Sequence, residues 1–267
     1  MDIWMQNMSA IADGLCESVM GLYYGGYYGG YGYGYGYGYF SYLLYMLPAL
    51  LLGIWAQFKV QSTFKKYSRI GNSRNITGAQ AARMVLDRNN LPHVRVEHIS
   101  GNLTDHYDPR AQVIRLSDTV YQSASIGAIG VAMHEAGHAV QHAEDYSPMK
   151  IRSAIVRVSN FGSSIGPLMI FVGCLFAGDF GRKLIVLGIL LFSLMAVFQL
   201  VTLPVEFNAS NRALAVIRDT GMFVDEDYKG AKKVLSAAAL TYVAALVTSI
   251  LQILYYVTRF LGGSRRD

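Results

Sequence analysis

Four stretches of this chain carry no charged side chain: residues 40–58, 161–177, 184–205 and 234–257. Few sequence features restrict a fold more. An α-helix rises about 1.5 Å per residue, so about 20 apolar residues cross the hydrocarbon core of a bilayer. The first, third and fourth stretches meet that length. The second is shorter and contains Gly162, Gly166 and Pro167. Only 178–183 separate it from the third, so the two read as a helical hairpin. The pattern predicts a mainly α integral membrane protein with about four transmembrane helices. The competing reading of each stretch is a buried core helix. The charged fraction of 15% favours the membrane, because an ordinary soluble domain has about 25%.

The basic residues predict an orientation. None precedes Lys59, whereas 13 fall in 59–160 and five in 204–233. Cytoplasmic flanks of membrane spans are rich in Lys and Arg, which places both segments inside the cell. Arg259, Arg265 and Arg266 run against this count. The net charge of +5 thus reads as a topology label, with the lipid bilayer as partner, and not as a nucleic-acid footprint. Residues 1–39 have three acidic and no basic side chains, and 23–39 alternate in tyrosine and glycine. This composition predicts a flexible tail outside the cell, or alternatively an aromatic self-association segment. It lacks the basic start of a signal peptide. The predicted location is the plasma membrane, multi-pass. Nothing in the pattern specifies an oligomer.

Residues 59–160 form the largest polar piece. Thr77 and Gln80 have capping-box spacing, so a helix is expected over about 78–89, ended by Pro92. Alternation over 94–99 reads as a strand, Asp108-Pro109 as a turn, and 113–116 as a second strand. That second strand would either offer an edge to an extended peptide or lie inside the sheet. A helix is expected from Ser125 through His142. All six histidines lie between His93 and His142, which points to a metal.

His134-Glu135-Ala136-Gly137-His138 is an HExxH sequence. Residues four apart share one face of a helix, so both imidazoles can reach one Zn²⁺. Glu135, directly after the first ligand, can act as general base toward a water that the ion activates. A catalytic zinc usually takes three protein ligands and keeps one position open. The positions that would continue the motif as HExxHxxGxxH hold Gln141 and Glu144, which excludes that arrangement. His142, Glu144 and Asp145 are weaker candidates, because a third ligand from the same straight helix lies too far along its axis. Glu206 is the strongest. It follows the third span directly, and two crossings return the chain to the face it left. A new helix is expected to begin there, across 206–233.

These features resemble the membrane-embedded gluzincins, the HtpX-like and CAAX prenyl protease group, and more closely the YugP-type neutral zinc metallopeptidases of bacterial membranes. The likeness rests on 102–109, 113–117, 131–143 and 204–213, and with the span pattern it covers 40–267. It implies a small α+β zincin-like catalytic domain in 59–160. It implies one zinc per chain on His134, His138 and Glu206, with Glu135 as catalytic base. It also implies hydrolysis of a peptide or membrane-protein substrate beside the bilayer. The HtpX-like pattern has ExxxD, whose Asp can orient a ligand histidine. Here Ser210 stands at that position, and Asn211 is a possible substitute. Donors expected for the tetrahedral oxyanion are Arg212, His106 and His142.

The function expected is therefore a membrane-embedded zinc metalloendopeptidase. The alternative is a membrane scaffold with a structural zinc and a tyrosine-rich interaction tail. Four protein ligands would favour the scaffold, and an open position the enzyme. An intramembrane protease with HExxH inside a span is a third reading, weakened by the cost of its histidines and glutamate in lipid.

Overall fold

A computed structural model describes residues 35–176 and 178–261, with side chains from 42. The remainder of the tail expected over 1–39 and the C-terminal segment lie outside the described residues. The elements in order are α1 (Tyr35–Tyr67), α2 (Gly78–Arg88), β1 (Arg95–His98), β2 (His106–Asp108), β3 (Val113–Leu116), α3 (Ile126–Ala143), α4 (Ser147–Leu175), α5 (Asp179–Asp219), α6 (Asp225–Tyr256) and a π-helical turn (Val257–Leu261). The chain is thus mainly helical with a small sheet. Helices α1, α4, α5 and α6 are each long and apolar enough to cross a membrane, and α3 is not among them.

The contacts divide the described chain into two compact units. The first comprises 55–154 and 200–243. Its core gathers Val85 and Leu86 of α2, Ile114 and Leu116 of β3, Ile129 and Met133 of α3, and Ile217 of α5. Helix α2 forms as expected: the Thr77 hydroxyl accepts from the Gln80 amide, and the Gln80 side chain accepts from the Thr77 amide. The sheet order is β1-β3-β2, with β1 parallel and β2 antiparallel to β3. Strand β3 is therefore the interior strand and has no free edge for a peptide. Its two outer neighbours, β1 and β2, provide the edges. Strand β2 has only three residues, too few for an alternation signal.

Helix α3 has defined ends. The Ser125 hydroxyl accepts from the Ala128 amide at 3.2 Å and caps its start. Past its end, Asp145 takes a left-handed φ of 57°. The Asp145 amide then donates to His142 O at 3.2 Å and the Tyr146 amide to Gln141 O at 2.9 Å. This is a Schellman closure with aspartate where glycine is usual.

Helix α5 corrects one expectation. No new helix begins at Glu206; a single helix runs Asp179–Asp219 through Pro204. Proline removes one backbone donor and disfavours a helix interior, but the apolar surface before and after it outweighs that local preference.

The second unit comprises, among the described residues, 35–54, 155–176, 178–199 and 244–261. Within its described part, Ile170 of α4, Ile189 and Phe192 of α5 and Tyr256 of α6 form a small core. The α4–α5 hairpin packs closely: a Cβ on Gly166 would lie 2.8 Å from Gly188 O.

Candidate metal centre

The four-residue spacing on α3 brings the two motif imidazoles together, their ring centroids 4.7 Å apart. Glu206 reaches them from α5. That approach depends on Gly137, where a Cβ would lie 2.9 Å from Ala209 O and 3.3 Å from Ala209 Cα. The small fourth residue of the motif lets the α5 backbone come against α3, one turn from the carboxylate that must arrive there.

Glu206 Oε2 stands 3.3 Å from His134 Nε2 and 3.5 Å from His138 Nε2. The Glu206 side chain is only 4% exposed, and its Oε2 has no hydrogen-bond partner. A buried polar oxygen that accepts no hydrogen bond calls for a partner such as a bound ion, and the two imidazoles and Arg152 are the carboxylate's charge neighbours. The residues fit a divalent ion. With ligand bonds of about 2.0–2.1 Å, the corners of a tetrahedral zinc shell lie about 3.3–3.4 Å apart. Among the described residues, His134, His138 and Glu206 form a three-membered ligand cluster.

Residues 42–261 match the family described as "Putative neutral zinc metallopeptidase". The chain belongs to this family. It is also 50% identical over 222 residues to the "Putative membrane protease YugP" of Bacillus subtilis (strain 168), covering 83% of this chain and 97% of the relative. No solved structure matches. Membership of this family implies zinc for the site.

The remaining residues singled out in the sequence divide sharply. Ser210, one turn after Glu206, places its Oγ 3.1 Å from His134 Nδ1. Asn211 is exposed and is not brought to that nitrogen. Arg212 is engaged away from the cluster: its Nε donates to Asn208 Oδ1 at 2.8 Å and its Nη2 to Glu144 Oε2 at 2.6 Å. His142 is exposed and shares a hydrogen bond with Tyr107 Oη at 2.9 Å. His106 sits on β2, its Nδ1 2.8 Å from Thr104 O. Glu144 and Asp145 pair with Arg212 and Lys150, so neither joins the ligand set.

Glu135 points its carboxyl into a desolvated setting. Loss of hydration pushes it up to about 7, against the opposing pull of His134 and with added push from the negative charges of Asp105 and Glu206. Asp105 is itself raised, mainly by burial, although the Ser117 amide and hydroxyl both donate to it.

Three side chains near the site had no sequence signal of their own. Arg152 of α4 holds its Nη1 3.8 Å from Glu206 Oε1. The Tyr242 phenol of α6 lies within electrostatic range of Glu206, Arg152 and Glu135. Gln141 of α3 is fully buried and bonded to His138 Nδ1 at 3.0 Å. Only its spacing of three from His138 could have marked it.

Proposed function

We propose that the chain is an integral-membrane zinc endopeptidase whose zinc ligands are His134, His138 and Glu206. The observation that carries this reading is the buried Glu206 Oε2, which accepts no hydrogen bond and stands beside two imidazole nitrogens. The cluster has three members among the described residues, which supports an open catalytic position over a closed scaffold site. The B. subtilis relative is described as a membrane protease, in line with the same reading.

A zinc ion bound there supplies Lewis-acid polarisation of a peptide carbonyl and acidifies water. Glu135 is the general base: it takes the proton of the attacking water and delivers it to the leaving amine. A carboxyl near 7 suits both directions of transfer at neutral pH. Tyr242 and Arg152 are the donors facing the developing oxyanion, in place of Arg212, His106 and His142, which are bonded elsewhere. The α+β part of 59–160 acts as the catalytic domain. Its placement on the cytoplasmic side of the plasma membrane follows from the basic residues flanking the spans. Strand β2, an outer strand that carries His106 and Tyr107, is the edge that receives an extended substrate.

The test is zinc content and hydrolysis of an unstructured protein substrate by the full chain purified in detergent, beside Glu135→Gln. The expected result is one zinc per chain in both proteins and hydrolysis in the first alone. Hydrolysis at the same rate in the variant contradicts the reading.

A further inference from the structure

We propose that Gln141 is a positioning residue that decides which imidazole nitrogen His138 offers to the metal, an inference that rests on reading His134, His138 and Glu206 as a zinc centre. Gln141 has no exposed surface. Its side chain makes three bonds: Oε1 to His138 Nδ1 at 3.0 Å, Nε2 to Val205 O at 2.8 Å, and Nε2 to Asn208 Oδ1 at 2.9 Å. A carboxamide has one accepting end and one donating end, and its orientation is read from its partners. Val205 O is a backbone carbonyl and can only accept. Arg212 Nε can only donate, and it bonds Asn208 Oδ1 at 2.8 Å. The oxygen of Asn208 therefore faces Gln141 as well as Arg212.

Both N–H bonds of the Gln141 amide are thus used on α5. Only Oε1, which carries lone pairs and no hydrogen, is left for His138. Nδ1 must then hold a proton and donate it. A neutral imidazole has one N–H, so Nε2 keeps its lone pair, on the side where Glu206 Oε2 lies 3.5 Å away. The orientation of one buried amide sets the tautomer of a metal ligand. The same side chain ties α3, with His134 and His138, to α5, with Glu206. Ser210 cannot do this for His134, because a hydroxyl can donate or accept.

The residue type follows from this geometry. Leucine would leave His138 Nδ1, Val205 O and Asn208 Oδ1 without Gln141. Glutamate would keep an acceptor for Nδ1–H and lose the bonds to α5.

The test measures zinc dissociation constants by chelator competition on the full chain in detergent, as wild type, Gln141→Leu and Gln141→Glu. Gln141→Leu is expected to bind zinc about 10–100-fold more weakly, the usual cost of losing such a partner. Gln141→Glu is expected to bind at least about ten-fold more tightly than Gln141→Leu. The proposal is overturned if Gln141→Leu matches wild type, or if Gln141→Glu is as weak as Gln141→Leu. Imidazole ¹⁵N NMR of the zinc-loaded wild type needs neither variant to fold. His138 should show a protonated Nδ1 and a metal-bound Nε2; metal on Nδ1 overturns the proposal. A wild type that binds no zinc contradicts the metal reading itself and this proposal with it. Zinc-binding wild type with an unaffected Gln141→Leu contradicts only the role of Gln141.

Discussion

Ser210 Oγ lies 3.1 Å from His134 Nδ1, one helical turn beyond Glu206 on the same face of α5. The carboxylate of the candidate metal centre and the hydroxyl beside His134 thus arrive on one element. A hydroxyl is neutral and raises the basicity of His134 less than a carboxylate would. Ser210→Ala should therefore weaken zinc binding toward the low end of the about 10–100-fold range seen for such partners. Ser210→Asp should strengthen it. Chelator competition on both variants checks the order; equal affinities for alanine and aspartate would remove Ser210 from the site's design.

Gly137 of α3 lies against the α5 backbone, where an added Cβ would stand 2.9 Å from Ala209 O. The atom that a Cβ would meet there is backbone, which cannot swing aside. Gly137→Ala should destabilise the fold by roughly 1–3 kcal/mol, the usual cost of overpacking. It should also weaken zinc binding by moving Glu206 away from His134 and His138. Thermal unfolding with chelator present separates the two effects, because the fold penalty persists without metal. An unfolding temperature equal to that of wild type would count against the close approach.

Asp105 gives a pH signature outside the ligand set. Its folded pKa is raised above the ordinary 3.8, chiefly by desolvation. The native state therefore holds this proton more tightly than the unfolded state. The stabilisation is fully present below the unfolded value and is lost as pH rises through the folded value. Asp105→Asn keeps an oxygen for the Ser117 amide and introduces no charge. It should be more stable than wild type at neutral pH, with the gap closing in acid. Unfolding temperatures across that range check the sign; a gap that widens in acid contradicts it.

Tyr242 and Arg152 should matter for turnover more than for metal. Tyr242→Phe removes one O–H and preserves the ring. It is expected to lower kcat by about 10²–10³, the typical cost of losing an oxyanion donor, with zinc content unchanged. Unaltered kcat would transfer the oxyanion role elsewhere.

The legible parts of this chain are those set by one length or one spacing. Hydrocarbon thickness sets the length of a span, so the apolar stretches stand out without any tertiary information. Two histidines four apart on a helix with a defined Ser125 cap mark the metal face locally. Glu206 is legible through topology alone, since the two spans expected between it and His138 would return the chain to the same face. The helix break expected at Glu206 does not occur because a proline weakens a helix locally, whereas burial of Val205, Ala209, Ala213 and Ile217 carries the helix on past it. The interior place of β3 depends on β2, too short to register. Gln141, Arg152 and Tyr242 come from three helices, and nothing in their residue types ties them to HExxH. Their roles exist only as contacts across the folded chain.

Zinc-edge X-ray absorption on the zinc-loaded full chain, compared with Glu206→Ala, tests the centre most directly. The expected spectrum shows a shell of nitrogen and oxygen alone with two imidazole scattering patterns, and Glu206→Ala should lose the carboxylate contribution or the zinc. A shell containing sulfur, or one unchanged by Glu206→Ala, would contradict a site built from His134, His138 and Glu206.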